Sequence, residues 1–344
     1  MTKVSIAMAT FNAQPWILEQ LRSLAGQRRP PDEIIIVDDC SSDNTISTIK
    51  HFASINNITI KLYQNEKNIG HKRNFFKAIS LCTGEVIFLC DQDDIWFEQK
   101  IEILLKQIDP SSGVHLVLCD AEYTDGVGRY EHITVIDRCI EATGDVNSHI
   151  AGACSALTKG FVNLIEPRDF SRIPQHDVYI NRFATVLGCK KVIREVLQIW
   201  RIHGSNSSSS AMNTARRRSS LMLFFDYIAV DPRPDYEEKI ACYEEIKSLI
   251  EERKGSIKGL GLGDSVDNII DRCNRTISAH RNRLKFLSAS YGSRYTILAG
   301  MILRGDYRLL YGWRSAVKDG FICLLGPAFS RIRVARSMNS EDRL

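Results

Sequence analysis

The chain has 344 residues, a hydrophobic fraction of 44% and a formal net charge of +4. These values are typical of a globular protein with a sizeable core, and they predict one large domain with an additional region. The ten cysteines include no C-x-x-C pair, which argues against a zinc knuckle or a redox dithiol. Cysteines inside apolar runs, such as Cys90 and Cys119, favour reduced thiols and a cytoplasmic protein. We see neither a signal peptide nor an apolar window long enough to span a membrane.

Buried strands and amphipathic helices alternate along the first 108 residues. Strands are predicted at 3–9, 33–37, 58–63 and 86–89 from short apolar runs. Each strand is followed by a segment with helical spacing, and these segments are 14–27, 45–54, 72–81 and 97–108. This alternation predicts a sheet of parallel strands joined by right-handed helical crossovers.

Beyond residue 113 the pattern is less regular. We predict a strand at 114–119, irregular structure with loose strand character over 120–144, a helix at 176–187, and strands at 190–194 and 196–202. The small residues of 151–157 (AGACSAL) are typical of a backbone that passes close to a ligand. A serine-rich loop follows His203, and helical periodicity resumes over 216–252 and 265–287.

Polar residues are clustered where each of the first four strands ends. Asp91, Asp93 and Asp94 directly follow the strand at 86–89, and the other clusters are 10–12, 38–39 and 65–70. Ligands of such sheets bind at the carboxyl ends of the strands, so the clusters predict a site and not loop decoration. Three neighbouring carboxylates repel each other unless a cation lies between them, and oxygen ligands suit Mg²⁺ or Mn²⁺ held together with substrate phosphates.

Seven motifs in this order resemble the family 2 inverting glycosyltransferases of the GT-A fold, and more narrowly their bacterial rhamnosyltransferase-type members. The motifs are VSIAMATFN, IIIVDDCSSDNT, NIGHKRN, FLCDQDDIW, the AGA segment, QHDVY and WRIHGSN. The resemblance implies a mixed, mostly parallel α/β sheet with a C-terminal helical extension. It places a GT-A catalytic domain at 1–214, with a nucleotide-binding half at about 1–110 and an acceptor half at about 111–214. A basic helical region would follow at 215–344.

The resemblance implies a nucleotide site formed by the first three motifs. Ala9 through its backbone and Phe11 by stacking match positions that line the nucleotide base. Asp39, together with Asp38, matches the acids that hydrogen-bond the base. Arg73 matches an arginine that reaches the nucleotide.

The later motifs imply the reacting groups. The family's DxD falls on Asp91, Gln92 and Asp93, with Asp91 towards the ribose or sugar, Gln92 on the donor side and Asp93 as the metal ligand. Asp177 matches the general base, and His203 matches a position that contacts the metal or diphosphate in some relatives. The implied reaction is transfer of a sugar, with rhamnose a candidate, from a nucleoside-diphosphate sugar to a glycan or lipid-linked acceptor in surface polysaccharide synthesis such as that of O-antigen. The chain lacks a Q-x-x-R-W segment, which argues for non-processive transfer.

Each of these positions also has a structural interpretation. Asp38 and Asp39 are suited to capping the next helix, and Arg73 to a solvated helix face. A lone histidine such as His203 is often only hydrogen-bonded, and His176 competes with Asp177 as the titrating group. Two other functions stay open. One is a sugar-nucleotide pyrophosphorylase, although the chain lacks the glycine-rich phosphate loop expected after the first strand. The other is a catalytically silent glycan-assembly partner.

The positive charge is concentrated near the C-terminus. Residues 1–214 contain 22 Lys and Arg against 25 Asp and Glu, whereas residues 215–344 contain 23 against 16. Within 294–336, arginines are interleaved with apolar and aromatic residues. This pattern suits either helices packed on the catalytic domain or a peripheral contact with the inner face of the cell membrane. No nucleic-acid recognition motif accompanies the basic charge.

Overall fold

A computed structural model describes residues 1–124, 129–148, 151–203, 231–310 and 312–325. Two compact units are present, one formed by residues 1–213 and 248–269 and the other by residues 214–247 and 270–344. The predicted serine-rich loop, the first part of the predicted helix at 216–252 and residues 326–336 of the basic tail lie outside the described residues.

The first unit contains a mixed sheet whose first half is parallel. Its strands are β1 (Val4–Thr10), β2 (Glu33–Asp38), β3 (Ile60–Gln64), β4 (Val86–Cys90), β5 (Ile95–Trp96), β6 (Leu116–Thr124), β7 (Arg129–Thr134), β8 (Ser155–Thr158) and β9 (Lys190–Arg201). Their spatial order is β3-β2-β1-β4-β8-β6-β9-β5, with β7 beside β6. β3, β2, β1 and β4 are mutually parallel, and β9 is parallel to β6. β8 is antiparallel to β4 and β6, as are β5 to β9 and β7 to β6. The predicted mixed, mostly parallel sheet is confirmed.

Helices cover the parallel half of the sheet. They are α1 (Ile17–Ala25), α2 (Thr45–Ile55), α3 (His71–Leu81) and α4 (Lys100–Gln107). Every residue of β1, β2 and β4 is buried, as expected for parallel strands with both faces covered. α1 buries Ile17, Leu21 and Leu24, which follow the helical spacing read from the sequence.

The second half of the first unit differs from the prediction in two places. The segment expected to be irregular contains a helix, α5 (Val135–Thr143). Its start is capped by Thr134, whose hydroxyl accepts from the Asp137 amide, and its end by Gly144 in the left-handed region, φ 80°. These local capping signals are readable in sequence but were missed. The two strands predicted at 190–202 are one strand, β9, whose register against β6 shifts along its length.

Further helices complete the described chain. They are α6 (Lys159–Val162), α7 (His176–Leu187), α8 (Arg233–Glu252), α9 (Lys254–Lys258), α10 (Val266–Ser288), α11 (Tyr291–Leu303) and α12 (Trp313–Leu325). The second unit has its own apolar core, which includes Phe286, Met301 and Ile322. Arg283 and Asp319 form a buried ion pair there, 2.9 Å between Nη2 and Oδ1. Among the described residues, no helix has both the length and the apolar composition needed to cross a membrane.

Candidate functional site

A cavity of about 230 Å³ lies in the first unit at the carboxyl ends of the parallel strands. Its wall contains seven of the predicted site residues: Ala9, Phe11, Asp39, Asp91, Gln92, Asp93 and Asp177. The sheet brings the first six together because β1 lies between β2 and β4, with Thr10 opposite Asp38 and Met8 opposite Cys90. Asp177 is contributed by the start of α7, 84 residues or more after the others in sequence.

Asp38 and Asp39 perform different structural tasks. Asp38 is buried outside the cavity wall, and its carboxylate accepts from the Thr10 hydroxyl at 2.9 Å and the Ser41 amide at 2.8 Å. Asp39 lines the cavity and accepts from the amides of Ile69 at 2.8 Å and Gly70 at 2.9 Å. Asp39 therefore holds the loop before α3 against the site, and its oxygens retain lone pairs for a ligand's N–H.

The loop after β1 is fixed by a side chain of the acidic loop. The Phe11 amide donates to Gln92 Oε1 at 2.8 Å, and the Phe11 carbonyl accepts from Gln92 Nε2 at 3.3 Å. The Phe11 ring is 48% exposed at the mouth of the cavity, so it is free of the core and available for stacking. Asn12 and Cys40 follow β1 and β2 with φ of 49° and 68°. Such backbone strain in non-glycine residues is concentrated at functional sites.

The three acids after β4 have separate surroundings. Desolvation, together with the neighbouring Asp93 and Asp177, raises the pKa of Asp91 to about 8. Asp93 Oδ2 is hydrogen-bonded to His203 Nε2 at 2.8 Å, and the imidazole stacks on Trp16 with 3.7 Å between ring centroids. Asp94 faces away from the cavity towards β9, where it accepts from Gln198 Nε2 at 2.9 Å. Burial raises the pKa of Asp94 well above its usual value.

Asp177 occupies the first turn of α7 at the cavity wall. Its Oδ1 accepts from the Val178 amide at 2.7 Å, and desolvation by the surrounding protein raises its pKa to about 6. A Cβ on Gly152 would lie 2.8 Å from the Asp177 Cβ, which no real pair of side chains allows. The small residue at position 152 thus leaves room for Asp177. The sequence predicted that the backbone of 151–157 passes close to a ligand, and it did not identify Asp177 as the neighbour.

Two histidines complete this wall of the cavity. His176 stacks on Phe75 at 3.9 Å and meets His71 edge-on at 4.8 Å between ring centroids. Within the described part of the chain, neither ring nitrogen of His176 has a hydrogen-bond partner. Burial lowers the pKa of His176 well below its usual value, so the ring is neutral and a weaker base than an ordinary imidazole. Buried polar atoms without partners at a cavity wall are groups that a polar ligand can satisfy.

Lys100 is a functional neighbour that the sequence did not indicate. The side chain is fully buried, and its ammonium lies 3.6 Å from the centroid of the Trp96 ring. The ammonium donates hydrogen bonds to the Ala153 carbonyl at 2.6 Å and to Gln198 Oε1. It lowers the pKa of Asp91 and Asp94 against the effect of burial. Only the packing of α4 on β9 shows that this first-turn lysine faces inwards.

Besides Asp38, two predicted residues lie away from the cavity wall. Arg73 is exposed on α3, with its guanidinium 4.5 Å from the Phe170 ring centroid, and its contact with a nucleotide stays a prediction. His203 is absent from the cavity wall, and its Nε2 lies 2.8 Å from Oδ2 of Asp93, which does line the cavity. The nearby Arg201 donates to Glu19 at 2.6 Å and to the Asp93 carbonyl at 3.0 Å.

The oxygen donors at the cavity fit a divalent cation bound together with a phosphate ligand. Asp91 and Asp93 offer carboxylate oxygens in a desolvated, like-charged pair, which is the situation that a cation relieves. Among the described residues, no three His, Cys, Asp or Glu side chains form a ready metal site. Magnesium-type sites with one or two protein carboxylates complete their coordination with water and substrate phosphates.

The family that the chain resembles can now be given by comparison. Residues 5–161 match the model described as Glycosyl transferase family 2. A little under half of the chain is therefore similar to a family 2 glycosyltransferase domain. The match includes every predicted site residue up to Asp93 and ends before Asp177 and His203.

Individual relatives support the same family over part of their length. The chain is 38% identical over 99 residues to the dTDP-rhamnosyl transferase RfbG of Shigella flexneri, which is 28% of this chain and 34% of that protein. It is 34% identical over 113 residues to the uncharacterized glycosyltransferase YwdF of Bacillus subtilis, 33% of this chain and 41% of that protein. The chain therefore spans less than half the length of these relatives.

The fold has solved counterparts. The crystal structure of Staphylococcus aureus TarS 1-349 in complex with UDP superimposes with a TM-score of 0.53 at 16% identity, covering 99% of this chain and 92% of that chain. This likeness supports the GT-A fold of the domain, as the sequence predicted.

Proposed function

We propose that this chain is an inverting, non-processive glycosyltransferase that moves a sugar from a nucleoside-diphosphate sugar to an acceptor hydroxyl. The observation that supports this proposal is the shared cavity: Asp91, Asp93 and Asp177 line it together with Asp39 and Phe11. The residues proposed to bind the nucleotide and the Asp177 carboxylate, whose pKa is raised, thus line the same cavity. The similarity to the family and the match to a dTDP-rhamnosyl transferase agree with this assignment.

In the proposed donor complex the nucleotide base lies against the ends of β1 and β2. Phe11 stacks on the base, the Ala9 backbone borders it, and Asp39 accepts from a base N–H. Asp38 contributes by ordering the loop of Asp39 through Ser41. Asp91 and Gln92 face the ribose and sugar. Arg73 remains a candidate for the nucleotide only if its side chain leaves Phe170.

In the proposed reaction the acceptor oxygen attacks the anomeric carbon in line with the bond to the diphosphate. The new C–O bond forms as the old one breaks, the acceptor proton passes to Asp177, and the nucleoside diphosphate leaves with the bonding electron pair. Inversion follows from a single displacement, whose transition state has oxocarbenium character. A carboxylate with a pKa near 6 is ionised at neutral pH and remains basic enough to take the proton.

Asp93, supported by His203, is the proposed ligand of a divalent cation, Mg²⁺ or Mn²⁺. When bound, such a cation neutralises the charge that develops on the departing diphosphate. The protein's own part is to orient the Asp93 carboxylate, which the Trp16–His203 stack does by holding the imidazole in place.

We further propose bacterial surface polysaccharide synthesis as the setting, with rhamnose among the candidate sugars and a glycan or lipid-linked oligosaccharide as the acceptor. The similarity to the dTDP-rhamnosyl transferase RfbG supports this setting. A lipid-linked acceptor would place the reaction at the inner face of the cell membrane.

The deciding experiment measures nucleoside-diphosphate release from a panel of UDP-, GDP- and dTDP-sugars, with Mn²⁺ or with EDTA. We expect release from one nucleotide class, and a loss of about 10²- to 10⁴-fold in Asp177→Asn. Asp267→Asn is the matched control, because Asp267 is also the second residue of a helix but is exposed.

Two outcomes would contradict the proposal. Release of pyrophosphate in place of the nucleoside diphosphate would indicate a sugar-nucleotide pyrophosphorylase. Binding of a nucleotide with no turnover of any donor would indicate a catalytically silent glycan-assembly partner.

A further inference from the structure

Helix α12 of the second unit presents large apolar side chains to solvent. Trp313 is 72% exposed, Val317 45%, Phe321 46% and Leu324 74%. Their spacing of four, four and three residues places them within ~80° of arc on one face of the helix. We call these four residues the apolar face of α12. The opposite side of the same helix already packs into the unit, since Asp319, Ile322 and Cys323 are buried there.

The two apolar sides of the helix have different surroundings. The buried side belongs to the core formed with Phe286, Met301 and Leu310. The exposed side contains the amphipathic ring of Trp313 and the ring of Phe321, residues that are rarely left in water together. More exposed apolar side chains occur at the end of α11, which packs on α12: Ile302 is 55% and Leu303 87% exposed.

The residues near α12 in sequence carry a net positive charge. The described residues 291–310 and 312–325 contain five Lys and Arg against two acids, Asp306 and Asp319, a net +3. Both acids are buried: Asp319 pairs with Arg283, and Asp306 with Arg304 at 3.1 Å. Arg308 and Arg314 are exposed, and Arg314 borders the apolar face in the helix. In the described part of this segment, the two acids are therefore buried while Arg308 and Arg314 are exposed to solvent.

We propose that the apolar face of α12 docks on an anionic lipid bilayer, with its four side chains in the interface and the flanking arginines on the lipid phosphates. A helix that lies in a membrane interface combines apolar and aromatic side chains on one side with basic residues beside them. Exposed arginines beside such a face each add attraction to an anionic leaflet. A second copy of this chain is a poorer occupant, because a symmetric contact would bring the same arginines together, and the two acids in the described part of the segment are buried.

The docking surface rests on the proposed function for the location of the reaction at the membrane, but it uses none of the residues at the cavity. Membrane binding and sugar transfer can therefore fail separately in experiment. A protein that binds vesicles without transferring sugar would contradict only the proposed function, and the reverse result only the docking surface.

The test is co-sedimentation of the full chain with vesicles of phosphatidylglycerol and phosphatidylcholine, and with vesicles of phosphatidylcholine alone. We expect binding to the anionic vesicles, with a blue shift in tryptophan fluorescence that is absent in Trp313→Phe. The double variant Val317→Ser and Phe321→Ser should lose affinity by about tenfold or more. Arg308→Gln with Arg314→Gln should weaken binding and reduce its dependence on salt.

Ile55→Ser is the matched control, because Ile55 is 67% exposed at the end of α2 in the other unit, and it should bind vesicles normally. Circular dichroism and thermal melting check that each variant is folded. Equal binding by wild type and the double serine variant, or no binding to anionic vesicles at low salt, would overturn the proposal. A concentration-dependent dimer that Phe321→Ser abolishes would overturn it as well, by identifying a second copy as the occupant.

Discussion

At the scale of single residues, the raised pKa of Asp177 links the cavity to a pH dependence. The proposed base acts only when it is ionised, and desolvation raises its pKa to about 6. We expect kcat/KM to rise with pH up to about 6, tenfold per unit well below it, and to level off above it. Asp177→Glu should move this inflection, whereas Asp267→Asn should not. A flat profile between pH 5 and pH 7 would assign the proton transfer to another group.

The raised pKa of Asp177 also predicts how the stability of the fold depends on pH. A carboxyl group whose pKa is higher in the folded chain than in the unfolded chain stabilises the fold at low pH, and this contribution is lost as the pH rises through the folded value. Asp177→Asn removes the charge but keeps an oxygen that accepts from the Val178 amide. Its melting temperature should therefore exceed that of wild type at pH 8 and approach it at pH 4.

Gly152 provides a steric test of how Asp177 is held. Gly152→Ala places a methyl group 2.8 Å from the Asp177 Cβ and 3.1 Å from His176 Nε2, so the start of α7 or the loop must move. We expect a strong loss of transfer and a decrease of about 1–3 kcal/mol in the free energy of unfolding, measured by urea denaturation. Gly255→Ala is the control, since nothing lies within 4 Å of its added methyl group. Normal activity of Gly152→Ala would show that transfer does not depend on the present position of the Asp177 side chain.

At the scale of secondary-structure elements, Lys100 joins α4 to β9 and to the loop before β8. Lys100→Met keeps the apolar stem on Trp96 but removes the charged hydrogen bonds to the Ala153 carbonyl and Gln198 Oε1. It also removes the ammonium that lowers the pKa of Asp91 and Asp94 against the effect of burial. We expect the free energy of unfolding to fall by about 2–4 kcal/mol. Lys106→Met on the same helix should change it by less than about 1 kcal/mol, because Lys106 pairs with Glu102 in solvent.

At the scale of the whole molecule, donor binding should stabilise the fold. A ligand that binds only the folded chain raises the free energy of unfolding by about 2.7 kcal/mol at one hundred times its dissociation constant. We expect one of UDP, GDP and dTDP, in the presence of Mn²⁺, to raise the melting temperature. Asp93→Ala should abolish the part of this shift that depends on Mn²⁺, while Asp43→Ala, which lies on the loop before α2 outside the cavity wall, should retain it. An Mn²⁺-dependent shift of full size in Asp93→Ala would remove Asp93 from the cation site.

Sequence alone determined the alternating half of the fold and most of one edge of the site. Apolar runs of strand length, helical spacing and polar strand ends are local features, so β1 to β4 and the cavity residues Phe11, Asp39, Asp91 and Asp93 could be predicted without coordinates. The order of the motifs also singled out Asp177, although its distance from the acids in the chain gave no information about its distance in space.

The tertiary structure decided the rest, because packing and desolvation depend on neighbours that are remote in sequence. It separated Asp38, which orders a loop, from Asp39, which faces the cavity, and it directed Asp94 and Lys100 into the interior. It placed Arg73 on the surface against Phe170 and showed that Gly152 makes room for Asp177. Sequence fixes which residues are able to carry charge or donate protons, whereas the fold sets how much water each one keeps, and that determines the pKa and the reactivity of the group.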